Sequence, residues 1–447
     1  MAWTYQLTDL ARAIEAGAPG ASIEFSSVST DTRTLEPGQV FFALSGENFD
    51  GNRFVGQAFA KGASAAVAKV AHDGGPCLVV ADPLKALQQF AACHRARYRL
   101  PLLALTGSCG KTTAKDLVAA VLGARYRVVK TQGNLNNEIG CPLSLLQIDE
   151  KTEHAVIEMG ANHAGEIAGL CEMARPTEAA ITMIAAAHLE GFGSVENVAK
   201  AKAEIVHAVG AGGTFYVNAD DEWCARIAEA FPGKKVRFGG RGDVVLEACR
   251  FDESGEMRLR VKPVGELRLP LVCRAHAVHV LLAVAVGLTH GIEEFEGPLR
   301  AASGSLSRFR VLSIGPIEVI DDTYNANPAS MTAALETLAE RAVAGARIAA
   351  LGEMLELGDA AAWCHREVGE AAGRLGVAHL FVKGPHAGEV IGAARANGVP
   401  DAQAMEEPDA IAQAIHAVAQ PGDVLLVKGS RGMRMEQVID AFRRHCA

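Results

Sequence analysis

One stretch constrains this chain more than any other: TGSCGKTT, residues 106–113. Before it runs LPLLAL, an apolar run of strand length. After it, AKDLVAAVLG reads as a helix. A strand, a glycine-rich turn and a helix together bind anions, because the helix N-terminus offers unpaired N–H groups and the positive end of its dipole. The usual phosphate-loop pattern is G-x-x-x-x-G-K-[ST]. Gly110, Lys111 and Thr112 fit it, but Leu105 stands where the first glycine would be. The expected nucleotide-binding residues are therefore Thr106, Gly107, Ser108, Cys109, Gly110, Lys111, Thr112 and Thr113. Lys111 would neutralise the β/γ phosphates and the Thr112 hydroxyl would meet Mg²⁺. Cys109 has no chemical role in that picture.

The surroundings give the fold class. LLALT, RVVK, AVIEMG (155–160), AAITMI (179–184) and TFYVN (214–218) alternate with helical segments. That predicts a mostly parallel sheet covered by helices. VVLEACRF and EMRLRVKP predict a small antiparallel sheet packed on this domain. From Phe309 a second α/β unit follows: a hairpin turning at Gly315–Pro316, a helix over 330–342, and strands RIAALG (347–352), HLFVKG (379–384) and DVLLVKGS (423–430). It is of dinucleotide-fold type without a glycine fingerprint. Ahead of the phosphate loop, Leu7, Leu10, Ala11 and Ile14 follow helical spacing and VFFAL (40–44) reads as a strand. At 447 residues the chain exceeds one ordinary core, so three domains are expected: 1–99, 100–307 and 308–447.

Bulk properties exclude several classes. With 43 basic and 52 acidic residues the net charge is −9, which argues against nucleic acid or an anionic membrane surface as partner. The ten cysteines contain no Cys-x-x-Cys pair, arguing against a zinc or redox site and for the reducing cytoplasm. MAWTYQLTDL has no basic start or apolar run, so no secretory leader is expected. VHVLLAVAVGLTHGI (278–292) is too short to span a bilayer and reads as a buried helix.

Further candidates carry polar chemistry. Glu158, in EMGANHAGEI, ends a strand of the sheet that carries the phosphate loop, where a carboxylate can hold the second side of a magnesium ion. His188, in AHLEGFGS, suits either a metal ligand or a satisfied loop histidine. Lys200 and Lys202, in VAKAKAEI, read from spacing alone as a solvated helix face. In DDTYNANPASM the Asn-Pro pair suits a helix entry, yet Asp322, Tyr324, Asn325 and Asn327 exceed what a cap requires. GNLNNEIGCP packs Asn134, Asn136 and Asn137 into one loop where a turn needs one or two, and the surplus indicates ligand recognition.

In series, TGSCGKTT, GNLNNEIG, EMGANHAGEI, HLEGFGS, AKAKAEI, DDTYNANP and LGEMLELG resemble the Mur ligases of peptidoglycan synthesis. DTRTLEPGQVFFALSGENFDG (31–51) and KGSRGMRMEQV (428–438) extend the resemblance over nearly the whole chain. It implies an N-terminal UDP-sugar domain, a central P-loop ATPase domain with a mostly parallel sheet, and a C-terminal Rossmann-like domain that binds the incoming dipeptide. The NLNNEIG, EMGANH and YNANP versions resemble the branch that adds D-Ala-D-Ala to UDP-N-acetylmuramoyl-tripeptide through an acyl phosphate, forming ADP and phosphate. By the same resemblance ATP and two Mg²⁺ are cofactors, and Thr112, Glu158, His188 and Lys202 are the metal ligands. Lys202 matches a carbamylated lysine, which reverses its solvated-face reading. Asp322, Asn325 and Arg308 match positions near ATP. Asn134, Asn136 and Asn137 match a loop facing the muramoyl-peptide, and Thr32 and Arg33 a segment meeting the UDP part. A cytoplasmic monomer is expected.

One segment departs from the family. Where it carries G-R-H-N-x-x-N-A-L, this chain has CRAHAVHVL (273–281): Arg274 is kept, and Ala275, His276 and His279 replace His, Asn and Asn. That leaves base recognition open. The rival readings are another ligase of the superfamily (an earlier muramoyl-peptide step or folylpolyglutamate synthase) and a non-catalytic nucleotide-binding scaffold. Retention of Lys111, Glu158, His188 and Lys202 argues against the scaffold.

Overall fold

The strand Leu102–Thr106 is buried along its whole length and organises the molecule. In the computed structural model its alternate residues enter different cores. Leu103 and Leu105 pack under the helices Lys111–Gly123 and Ala277–Thr289. Leu102 and Ala104 join a core that reaches Trp3, Tyr5 and Phe90 of the N-terminal segment. A parallel strand covered on both faces needs apolar residues at every position, which is why LLALT lacks alternation. Residues 3–18, 22–46, 49–304, 306, 308–341 and 345–446 are described. The expected helix end at 342 and domain boundary at 307 lie outside them.

The fold is α/β in three domains with predominantly parallel sheets. The central sheet has nine strands in the order 128–130, 154–158, 102–106, 178–181, 214–218, 234–239, 244–251, 257–262, 265–269. The first seven are parallel. The last two are antiparallel. VVLEACRF and EMRLRVKP therefore do not form a separate small sheet, as expected from the sequence. Strand Val244–Phe251 pairs in parallel with Lys234–Gly239 and carries the hairpin as an extension of the main sheet. Short-range pattern shows the hairpin but not the edge it joins.

The C-terminal sheet runs 310–314, 317–322, 424–428, 347–352, 379–383, 401–404, with only the first pair antiparallel. The hairpin turns at Gly315–Pro316 as predicted. The N-terminal segment has a parallel four-stranded sheet that includes Val40–Phe42 and Ala65–Ala68. Its helix Pro83–Ala96 packs directly on the central domain: His94 bonds the Ile148 carbonyl at 2.8 Å, and Trp3 donates to the Leu146 carbonyl at 2.8 Å. VHVLLAVAVGLT lies within a buried helix, Ala277–Thr289. Among the described residues no helix is long and apolar enough to cross a membrane.

Strand Leu102–Thr106 lies between His154–Glu158 and Glu178–Ile181, where the strand order reverses. Ligands of open α/β sheets bind outside the carboxyl ends of strands at such a switch point. The phosphate loop leaves the sheet there.

Candidate active site

The loop from Thr106 to Lys111 is held open by two glycines in the left-handed region. A Cβ on Gly107 (φ 150°) would come within 1.9 Å of the Thr182 hydroxyl, and one on Gly110 (φ 78°) within 1.9 Å of His279 Nε2. The Ser108 hydroxyl donates to the Ala185 carbonyl at 2.9 Å, and Thr182 donates to the Cys109 carbonyl. Cys109 thus serves through its backbone, and burial raises its thiol pKa. Lys111 opens the helix Lys111–Gly123 and folds its ammonium onto the Gly107 carbonyl at 2.8 Å. Burial lowers its pKa, with Glu158 acting against that.

Glu158 is buried at its strand end. Its Oε1 accepts from the Asn136 amide at 2.7 Å and from the Thr112 hydroxyl at 3.4 Å. Its Oε2 is buried with no hydrogen bond, and Lys115 Nζ stands 3.9 Å away. Lys115 is itself buried, one helical turn beyond Lys111. Spacing gave no reason to single it out, because a lysine on the first turns of a helix usually faces water.

The two lysines of VAKAKAEI separate. On the helix Val195–Val209, Lys200 is exposed and pairs with Glu196 at 2.8 Å. Lys202 is 1% exposed and has no hydrogen-bond or ion-pair partner among the described residues. Two residues apart on a helix means opposite faces, so the solvated reading holds for one lysine and fails for the other. Burial, and then the nearby Lys111 charge, push the Lys202 pKa well below the ordinary lysine value. His188 sits at φ 53° and its Nδ1 bonds Glu356 of the C-terminal domain. Burial and Lys111 lower its pKa, and Glu356 acts to raise it.

From the other side, the C-terminal domain brings Arg308, Asp322, Tyr324 and Asn325 to the same cleft, about 540 Å³ in volume. The Arg308 guanidinium lies 3.4 Å from the Tyr324 ring centroid. Asp322 is buried in an ion pair with Lys428, which also donates to the Asn325 carbonyl at 2.8 Å. Lys428, the first residue of the KGSRGMRMEQV stretch, ends the strand Val424–Lys428, and nothing in the sequence pairs it with Asp322. Asn327 caps the helix Pro328–Arg341 through Ser330 N at 2.9 Å and also donates to the Ser108 carbonyl at 3.2 Å. The surplus polar group therefore ties the C-terminal domain to the phosphate loop.

Other expected residues are placed differently. Asn134, Asn136 and Asn137 line the cleft. Asn136 is engaged by Glu158, and Asn137 accepts from Gly140 N at 2.9 Å. Thr32 bonds Gln57 at 3.1 Å and Arg33 forks onto Asp31, both in the N-terminal domain and outside this cleft. Arg274 turns away from the cleft onto Glu340 at 2.7 Å.

Three family models match in series: the Mur ligase family catalytic domain over residues 24–92, the Mur ligase middle domain over 105–287, and the Mur ligase glutamate ligase domain over 307–431. The chain belongs to the Mur ligase family. Within it, the UDP-N-acetylmuramoyl-tripeptide–D-alanyl-D-alanine ligase of Escherichia coli strain K12 is 36% identical over 455 residues, 98% of each chain. A MurF crystal structure from Acinetobacter baumannii superposes with a TM-score of 0.90 at 31% identity, covering 99% of each chain. The MurF ligase of Thermotoga maritima in complex with ADP gives 0.82 at 28% identity, covering 94% of this chain and 98% of that one. In this Mur ligase the phosphate loop, Glu158, Lys111 and Lys428 line one cleft, whereas Lys115 and Lys202 are not among the residues that line it.

Proposed function

We infer that this protein is an ATP-dependent ligase that joins D-Ala-D-Ala to UDP-N-acetylmuramoyl-tripeptide, releasing ADP and phosphate, as a cytoplasmic monomer. One observation carries the reading. Lys111, Thr112 and Glu158 of the central domain share one cleft with Arg308, Asp322 and Asn325 of the C-terminal domain. On this reading the two domains close one nucleotide site between them, beside which the substrate carboxylate is phosphorylated. The proposed division is 1–99 for the UDP-sugar, with Thr32 and Arg33, 100–307 for ATP, and 308–447 for the dipeptide. Asn134, Asn136 and Asn137 face the muramoyl-peptide.

The chemistry requires charge control. The terminal carboxylate of the tripeptide attacks the γ-phosphorus of ATP, and ADP leaves. The dipeptide amine then attacks the acyl carbon and phosphate leaves, giving the amide. Two anions must approach in the first step, and Lys111 at the helix N-terminus offsets their repulsion. Arg308, stacked on Tyr324, supplies a second fixed cation from the opposite wall.

The residues also fit magnesium. Glu158 Oε2 is a buried carboxylate oxygen without a hydrogen bond, and Oε1 of the same carboxylate lies 3.4 Å from the Thr112 hydroxyl, a donor set of hard oxygens. Thr112 and Glu158 would hold one ion, and His188 with a carbamylated Lys202 another. Bound magnesium supplies charge neutralisation at the phosphate oxygens. Lys202 fits carbamylation because burial lowers its pKa and so favours the unprotonated, nucleophilic amine. Its neutral nitrogen adds to the carbon of CO₂ and loses a proton, leaving a carbamate anion.

Product analysis tests the reading. Incubation with ATP, Mg²⁺, UDP-muramoyl-tripeptide and D-Ala-D-Ala should give the UDP-muramoyl-pentapeptide mass with equimolar ADP. ADP formation without that mass would refute it.

A further inference from the structure

Lys115 is a buried lysine that the phosphate chemistry does not use. It follows Lys111 by one turn on the helix Lys111–Gly123, so the two share a face. Lys111 lines the cleft, whereas Lys115 lies behind it, 1% exposed. The Lys115 ammonium sits among three oxygens. It donates to the Gly133 carbonyl at 3.4 Å, with Asp116 Oδ1 at 3.6 Å and Glu158 Oε2 at 3.9 Å. Asp116 is already held by Lys130 at 2.6 Å. The carboxylate left facing Lys115 is therefore Glu158, whose Oε2 accepts no hydrogen bond.

The charge around Glu158 is one-sided. Lys111 and Arg308, both lining the cleft, feel its field. Asp322, another buried carboxylate of the cleft, is paired with Lys428. One carboxylate thus faces Lys111, Lys115 and Arg308. Charges a few ångströms apart interact strongly where water is excluded, so a divalent cation approaching Glu158 by itself is opposed. Nucleotide phosphates reverse the balance, because they bring negative charge to which Lys111 and Arg308 can turn. Lys115 has no such freedom: it does not line the cleft, and the Gly133 carbonyl and Asp116 hold it where it is.

We propose that Lys115 is a fixed counter-charge that keeps Glu158 from holding a divalent cation until nucleotide phosphates arrive, so that metal and nucleotide enter and leave the site together. Lys115 is a positioning residue that acts through Glu158. This rests on reading Thr112 and Glu158 as a magnesium site.

Titration of the full-length protein with Mn²⁺, with the free ion read by electron paramagnetic resonance, tests this without any turnover. Without nucleotide, Lys115→Gln should bind Mn²⁺ at least about tenfold more tightly than wild type, because the opposing charge is gone. Equal or weaker binding overturns the proposal. Adding Glu158→Gln should abolish the gain, and a gain that persists overturns the assignment to Glu158. Lys115→Arg keeps the charge and should show no gain. A gain of about tenfold there overturns the charge argument even if the glutamine variant fails to fold. So does wild-type protein that holds Mn²⁺ as tightly without ADP as with it. Wild-type protein that takes up no Mn²⁺ even with ADP would sink the magnesium reading itself, whereas ADP-dependent uptake with an unchanged Lys115→Gln sinks only the role of Lys115.

Discussion

His188 and Glu356 meet across the boundary between the central and C-terminal domains, and both hold left-handed backbone conformations, at φ 53° and 64°. Such conformations are uncommon outside glycine and persist where the surroundings over-determine them. The Glu190 N–H completes the clamp by donating to the Glu356 carbonyl at 3.1 Å. Glu356 orients the His188 ring and acts to raise its pKa against burial and the Lys111 charge. Glu356→Gln should therefore lower the His188 pKa further and reduce kcat by about tenfold or more. NMR titration of the ring and steady-state kinetics check it. Unchanged values in both would remove Glu356 from the mechanism.

Gly110→Ala places a methyl group where His279 Nε2 now lies, at a residue with φ 78°. The loop must shift, so nucleotide affinity should fall by about tenfold or more, with a stability loss on the order of 1 kcal/mol. Calorimetry on the variant reads the first effect and thermal unfolding the second.

Lys202→Ala should nearly abolish activity, and added bicarbonate should not restore it. Wild-type protein equilibrated with ¹³C-bicarbonate should show a carbamate carbon signal that the variant lacks. An active alanine variant would remove the carbamate from the account.

Acid should weaken the fold through its buried histidines. His94 is fully buried between Tyr5 OH, at 3.0 Å, and the Ile148 carbonyl, and burial pushes it down from 6.5 to about 4. His154 is likewise pushed down to about 4. Between pH 6.5 and 4 the unfolded chain binds more protons at these sites than the folded one. Their contribution is thus fully present above pH 6.5 and lost as pH falls toward 4. Each adds a slope of about 1.4 kcal/mol per pH unit within that window. Denaturant titrations at pH 7, 6 and 5 should show a falling midpoint, and His94→Gln should flatten the decline.

Local pattern made much of this molecule legible. LLALT and TFYVN are strands at the predicted residues, and the glycine-rich turn between Thr106 and Lys111 is where the sequence puts it. What escaped depends on contacts distant in sequence. Lys115 and Lys428 look like ordinary surface lysines until folding sets them against Glu158 and Asp322. Lys202 differs from Lys200 only in helix face, and spacing alone does not say which face is covered. Glu356 lies 168 residues from the histidine it orients. The edge-strand extension was missed because pairing between Phe238 and Val244 is decided by the sheet, not by the hairpin that follows.

The central claim is that phosphate from ATP passes to a carboxylate and is displaced by an amine. Phosphate release with UDP-muramoyl-tripeptide and ATP, measured with and without D-Ala-D-Ala, tests it most directly. The account predicts turnover strongly stimulated by the dipeptide. A release rate indifferent to the dipeptide would contradict it.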